Sequence, residues 1–133
     1  MCLELLIQAA DGAPGPIGAK RLAELSGLVV SPSKLDGKPA LHLSVSGGCS
    51  CDFLAKGPHK HEGIWELDPT HIPKLAAAVR ALNSEVRKYR LLAHWLNGET
   101  ARSEQRISGG DLLELVKSSR LGDNIVYRTW SGT

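Results

Sequence analysis

Two cysteines and two histidines occur at matched spacing within residues 46–66. One residue separates Cys49 from Cys51, and one residue separates His59 from His61. Alternate residues of an extended chain point to the same side, so each pair could present its two side chains together. Thiolate and imidazole groups are ligands that tetrahedral zinc prefers in proteins. The spacing therefore predicts a transition-metal site formed by Cys49, Cys51, His59 and His61, with zinc as the expected ion.

The same residues support two other interpretations. Structural zinc sites more often place about two to four residues between paired cysteines, so small buried cysteines beside solvent-facing histidines also fit the pattern. A thiol-redox role is the second alternative, because Gly47 and Gly48 let the backbone bend sharply before Cys49. Cys49 and Cys51 would then cycle between a dithiol and a strained, easily reduced disulfide. The residues alone leave all three interpretations open.

Length and composition predict one ordinary globular domain. The chain has 133 residues, of which 42% are hydrophobic and 23% are charged, and these values predict a single domain over residues 1–133. We expect no secretory signal and no membrane span, because the apolar run near Met1 is short and lacks a basic flank. Three cysteines in such a chain favour a reducing, cytoplasmic compartment.

Charge gives a weaker functional indication. The net charge of +2 does not predict a nucleic-acid or membrane partner. Residues 74–106, however, carry seven lysines and arginines against three glutamates. A solvated helix face is the simplest interpretation of that segment, and nucleic-acid binding through it is the functional alternative. The few aromatic residues do not form the RNA-reading motif.

Local patterns predict the elements in the first half of the chain. The apolar run Leu3–Ala9 is typical of a buried strand, and Ile17–Leu25 has helical spacing. Asp36 and Gly37 lie between two strand-like runs, which predicts a hairpin turn. Residues 40–46 then alternate apolar and polar side chains, as in a half-buried strand.

The second half predicts two further helices and two further strands. A helix is expected from Asp68, a capping residue followed by proline, through Val86. Ser108 with an acid three positions later predicts the start of the last helix. Strands are expected over residues 89–96 and 124–130, whereas residues 104–107 fit neither pattern clearly.

The resulting order, β-α-β-β-α-β-α-β, predicts an α+β fold. We expect a ferredoxin-like βαββαβ unit with an added C-terminal αβ unit, in which helices cover one face of a mixed sheet. Exposed sheet edges make a homodimer an expectation. Because no phosphate loop or hydrolase motif occurs, a binding or regulatory module is favoured over an enzyme. His42, His71 and His94 look isolated, and no small-molecule ligand is indicated.

Overall fold

A computed structural model describes residues 3–9, 18–48, 50–54, 60–61, 64–86, 88–95 and 102–130, and excludes the side chains of Lys60, His61 and Trp95. Three helices are present in these ranges, namely α1 (Ala19–Ser26), α2 (Ile72–Glu85) and α3 (Gly109–Lys117). A single 3₁₀ turn covers Ser50–Phe53. The strands are β1 (Leu3–Ala9), β2 (Val29–Leu35), β3 (Lys38–Ser44), β4 (Lys60–His61), β5 (Ile64–Glu66), β6 (Tyr89–Trp95), β7 (Ser103–Ile107), β8 (Arg120–Gly122) and β9 (Ile125–Thr129).

Six strands form the main sheet, in the order β2-β3-β1-β6-β9-β7. All neighbours in it are antiparallel except β7 and β9, which are parallel. The predicted α+β class with a mixed sheet is therefore confirmed. The strand order differs from that of a ferredoxin-like sheet, because β9 and β7 extend it beyond β6. A second sheet, β4-β5-β8, was not expected from the sequence.

The helices and one face of the main sheet share the larger hydrophobic core. Alternate residues of the strands supply its sheet side, among them Leu5, Ile7 and Leu91. Leu22 of α1, Val79 of α2 and other buried helix residues pack in the same cluster. Burial of this apolar surface, at about 25 cal/mol per Å², is the main stabilising contribution to the fold.

The opposite side of the main sheet, here the helix-free face, has a different composition. A small buried cluster occupies its centre and contains no helix residue, its members being Leu6, Leu35, Ala40, Leu92 and Val126. Polar positions surround this cluster on β1, β6 and β9, because alternate residues of a strand point to opposite faces. They are Glu4, Gln8, Arg90, His94 and Arg128.

Local sequence signals agree with the structure at one turn and one helix start, and differ at another helix start. Asp36 and Gly37 have φ angles of 55° and 78°, the left-handed pair that a two-residue hairpin turn requires. Ser108 accepts a hydrogen bond from the backbone N–H of Asp111 at 3.0 Å, as the capping signal predicts. The helix expected from Asp68 begins instead at Ile72, because the Asp68 carboxylate accepts the Thr70 N–H and closes a separate turn.

Candidate functional site

The predicted metal ligands fall largely outside the described part of the chain. Cys49 and His59 lie outside it altogether, and for His61 the structure describes only the backbone, which pairs with Ile64. Cys51 is described and is half-buried. Among the described residues, no three Cys, His, Asp or Glu side chains are grouped so that they could hold a metal ion. The Cys/His metal site therefore stays a prediction.

Cys51 and Ser50 stand between two strands that have separated. β1 and β3 are paired only at Leu6 and Ile7. Beyond that point the backbone N–H of Leu3 donates to the Cys51 Sγ at 3.2 Å, and the N–H of Leu5 donates to the Ser50 Oγ at 3.0 Å. These side chains substitute for the missing strand partner, so the position of the Cys51 sulfur is fixed by β1.

Ser50 and His42 form a contact that resembles a nucleophile beside its base. The Ser50 Oγ lies 3.1 Å from the His42 Nε2. Ser50 is completely buried, and its hydroxyl donates to the backbone carbonyl of Leu43 at 2.6 Å. Since a hydroxyl has only one proton to donate, His42 must donate its Nε2–H to the Ser50 oxygen. The pair is structural, because an inaccessible serine whose proton is already bonded cannot attack a substrate.

Two histidines that look isolated in the sequence flank one carboxylate on the helix-free face. Glu4 is the cross-strand partner of His94, and its Oε1 lies 3.0 Å from the His94 Nε2. His42 of β3 is the cross-strand partner of Leu6 on the other side of β1, and it interacts electrostatically with Glu4. Burial lowers the pKa of His42, and the negative charge of Glu4 partly opposes that shift.

Three arginines, here the arginine row, lie side by side on the helix-free face. Arg90 of β6 is the cross-strand partner of Arg128 of β9, and Arg128 is in register with Arg106 of β7. Neighbouring strands are about 4.8 Å apart, so the three side chains start from adjacent positions. Like charges directly opposite each other destabilise a sheet by up to about 1 kcal/mol. Such a row is expected only where acidic groups or an anionic ligand compensate it.

The compensation within the described residues is incomplete. Asp36 lies 3.5 Å from Arg90 and 2.7 Å from Arg102, a fourth arginine that precedes β7. Glu104 lies 3.4 Å from the Nε of Arg128, within ion-pair range but without hydrogen-bond geometry. Two carboxylates thus face four guanidinium groups, which leaves these six residues with a net charge of +2. Within the described ranges, the buried Nε atoms of Arg90, Arg102 and Arg128 have no hydrogen-bond acceptor.

An exposed tryptophan lies at the end of the row. Trp130 follows β9 and is 47% exposed, which is unusual for so large an apolar side chain. The Arg106 guanidinium lies 5.8 Å from the centre of its ring, within cation–π range. These two residues line an open depression of about 330 Å³. A flat aromatic ring beside several arginines is suited to a ligand with both planar and anionic groups.

Neither sequence nor structure comparison connects the chain to a known protein. No family model, curated protein or solved structure matches the chain.

No described helix combines the length and the apolar character needed to cross a membrane.

Proposed function

We propose that this protein is a binding module whose helix-free face binds single-stranded nucleic acid. The observation that carries the proposal is the arginine row of Arg90, Arg128 and Arg106, with Trp130 at its end. Guanidinium groups bind phosphate through paired hydrogen bonds. Aromatic side chains stack on bases without sequence preference. The two features together match what a single strand offers.

The acidic residues around the row support a recognition role. Asp36 and Glu104 hold Arg90, Arg102 and Arg128 in place without neutralising all of them. A phosphate that approached this group would find donors whose side-chain entropy is already partly lost, which lowers the cost of binding. Arg128 leaves 44% of its side chain exposed, so its guanidinium is open to such a phosphate.

The proposal uses only part of the basic segment 74–106, together with one arginine from outside it. Lys74 and Arg80 belong to α2, in the helical layer. Arg90, Arg102 and Arg106 are the part of that segment associated with the helix-free face, and Arg128 joins them from outside it. The charge that matters is therefore local to one surface, and the small net charge of the whole chain does not measure it.

Fluorescence anisotropy with a labelled single-stranded oligonucleotide of about 16 nucleotides tests the proposal directly. We expect saturable binding at low salt that weakens steeply as salt increases, since phosphate contacts release counterions. Trp130→Ala should weaken binding by about 1–3 kcal/mol per stacked base, and Trp130→Phe should retain most of the affinity. Absence of binding at low salt, or equal affinities for the wild type and Trp130→Ala, would contradict the proposal.

A zinc site remains the second candidate function. Its support is the fixed position of the Cys51 sulfur, which accepts the Leu3 N–H at 3.2 Å. Together with Cys49, His59 and His61 it would form a four-ligand site. Elemental analysis of untagged protein should find one zinc per chain, and Cys51→Ser should lose it. Metal-free protein whose melting temperature does not change on zinc addition would exclude the site, and rapid labelling of Cys49 or Cys51 would then favour the dithiol alternative.

We also infer a ferredoxin-like origin for the inner part of the sheet. Support comes from the order β2-β3-β1-β6 and from the antiparallel pairing of all three neighbours in it. In that interpretation, β7, α3 and β9 form a C-terminal addition that extends the sheet on the side of β6.

A further inference from the structure

The main sheet ends in two unlike edge strands, β2 and β7. β2 carries Pro32 in its middle, and proline has no N–H to donate to another strand. β7 contains no proline, and its residues 103–106 are all exposed. Edge strands without such protection are templates for pairing with another chain. Of the two described edge strands, β7 is therefore the one suited to pair with a strand of another chain.

The hydrogen bonds of β7 determine which of its backbone groups are available. The Ser103 N–H donates to the carbonyl of Asn124 at 3.3 Å, and β7 then runs parallel to β9. The backbone N–H and C=O groups of successive residues point to opposite sides of a strand. Those of Ser103 and Gln105 therefore point towards β9. The N–H and C=O groups of Glu104 and Arg106 consequently point to the open edge.

We propose that β7 pairs antiparallel with β7 of a second copy of this chain, about a two-fold axis at Gln105. In this register, Glu104 and Arg106 exchange backbone hydrogen bonds with Arg106 and Glu104 of the second copy, which makes four such bonds. Glu104 and Arg106 point to the same face, so each carboxylate also stands opposite a guanidinium of the other copy.

Charge selects this register over its neighbours. A slip by two residues in one direction places Glu104 opposite Glu104 of the second copy, and a slip in the other direction places Arg106 opposite Arg106. Both slips set like charges directly across from each other, which is unfavourable in a sheet. The pair at positions 104 and 106 is self-complementary, which favours a second copy of this chain as the partner.

The pairing would join two main sheets into one continuous sheet. A two-fold axis perpendicular to the sheet leaves both helix-free faces on the same side, so two arginine rows would lie on one surface. Glu104 would then lie between Arg128 of its own chain and Arg106 of the second copy. The dimer does not depend on nucleic-acid binding, which Trp130 and Arg128 test separately.

Analytical ultracentrifugation of four variants tests the proposal, over about 1–200 µM, where weak dimers dissociate. At the high end of this range, the molar mass measured for the wild-type protein should be twice the chain mass of 14.3 kDa. Glu104→Arg and Arg106→Glu should each raise the dissociation constant by at least about tenfold. The double variant Glu104→Arg/Arg106→Glu restores opposite charges across the axis and should restore the dimer.

The opposite edge supplies the control. Lys34 is an exposed residue of β2, and Lys34→Glu should leave the dimer unchanged. Far-UV circular dichroism should show every variant folded, because all three positions are exposed. The proposal is overturned by a wild-type monomer at the highest concentration, by single variants that still dimerise, or by a double variant that stays monomeric. Loss of the dimer in Lys34→Glu would assign the interface to β2 instead.

Discussion

Arg102 donates a hydrogen bond to Asp36 at 2.7 Å, although the two residues adjoin opposite ends of the main sheet. Asp36 lies in the turn between β2 and β3, and Arg102 immediately precedes β7. Four or five strand spacings, roughly 19–24 Å, would separate them in a flat sheet. The sheet must therefore curl around the helix-free face, which explains why Leu92 and Val126 are buried there without a helix above them.

Removing the charge of Asp36 should loosen this curl. Asp36→Asn is the appropriate change, because asparagine tolerates the left-handed φ of 55° that the turn requires. The carboxylate is half-exposed, so we expect a loss of at most about 1 kcal/mol in the free energy of unfolding. The loss should shrink at high salt. Urea unfolding at two salt concentrations measures it, and a salt-independent loss would contradict an electrostatic role.

Gln8 should contribute more, because it is buried and fully hydrogen-bonded. Its side-chain amide donates to the carbonyls of Leu35 and Pro39 at 3.1 and 2.9 Å, and its carbonyl accepts from Arg90. Gln8→Ala would leave these groups without partners and should destabilise the protein by about 2 kcal/mol. Lys34→Ala, at an exposed position, should change the stability by less than about 0.5 kcal/mol. Chemical denaturation measures both changes. If Gln8→Ala and Lys34→Ala lowered the free energy of unfolding equally, Gln8 would not stabilise the β2–β3 hairpin.

The buried Ser50 should behave as a structural residue. Ser50→Ala removes the acceptor of the Leu5 N–H and the donor to the Leu43 carbonyl, and should cost about 1–3 kcal/mol. Ser46→Ala removes an exposed hydroxyl that donates to Asp52, and it should cost about 1 kcal/mol or less. Thermal unfolding of the two variants makes the comparison. If Ser50→Ala left the melting temperature unchanged, the hydrogen bonds of Ser50 would not stabilise the region where β1 and β3 separate.

His42 should make the fold sensitive to mild acid. Its folded-state pKa is lowered from the ordinary 6.5 by burial, so the unfolded state binds a proton more readily. The stability that neutral His42 contributes is complete above about pH 6.5 and is lost as the pH falls towards the folded-state pKa.

The His42→Gln variant isolates this effect. Its stability difference from wild type at about pH 8 reports lost packing, and the change in that difference between about pH 8 and pH 5.5 reports titration. We expect the wild type to lose more stability than the variant over this interval. Parallel pH profiles for the two proteins would contradict the prediction.

Local signals in the sequence predict the elements but not the surface that they build. The alternation in β3 and the Asp36–Gly37 turn depend on neighbouring residues, and the structure confirms both. The arginine row depends instead on the insertion of β9 between β6 and β7, out of chain order. Nothing in a strand's own sequence specifies its neighbour, so Arg90, Arg106 and Arg128 look unrelated until the sheet is assembled.

The central claim, that the arginine row contacts phosphate, is tested most directly by the salt dependence of oligonucleotide binding. Arg128→Ala removes the middle of the row, and Arg80→Ala removes an exposed arginine of α2 as a matched control. The slope of log K against log salt is negative, and its magnitude should decrease by about 0.7 for Arg128→Ala, the value for one phosphate contact of a single strand. The slope for Arg80→Ala should equal that of the wild type. Identical slopes for the wild type and both variants would contradict the proposed site.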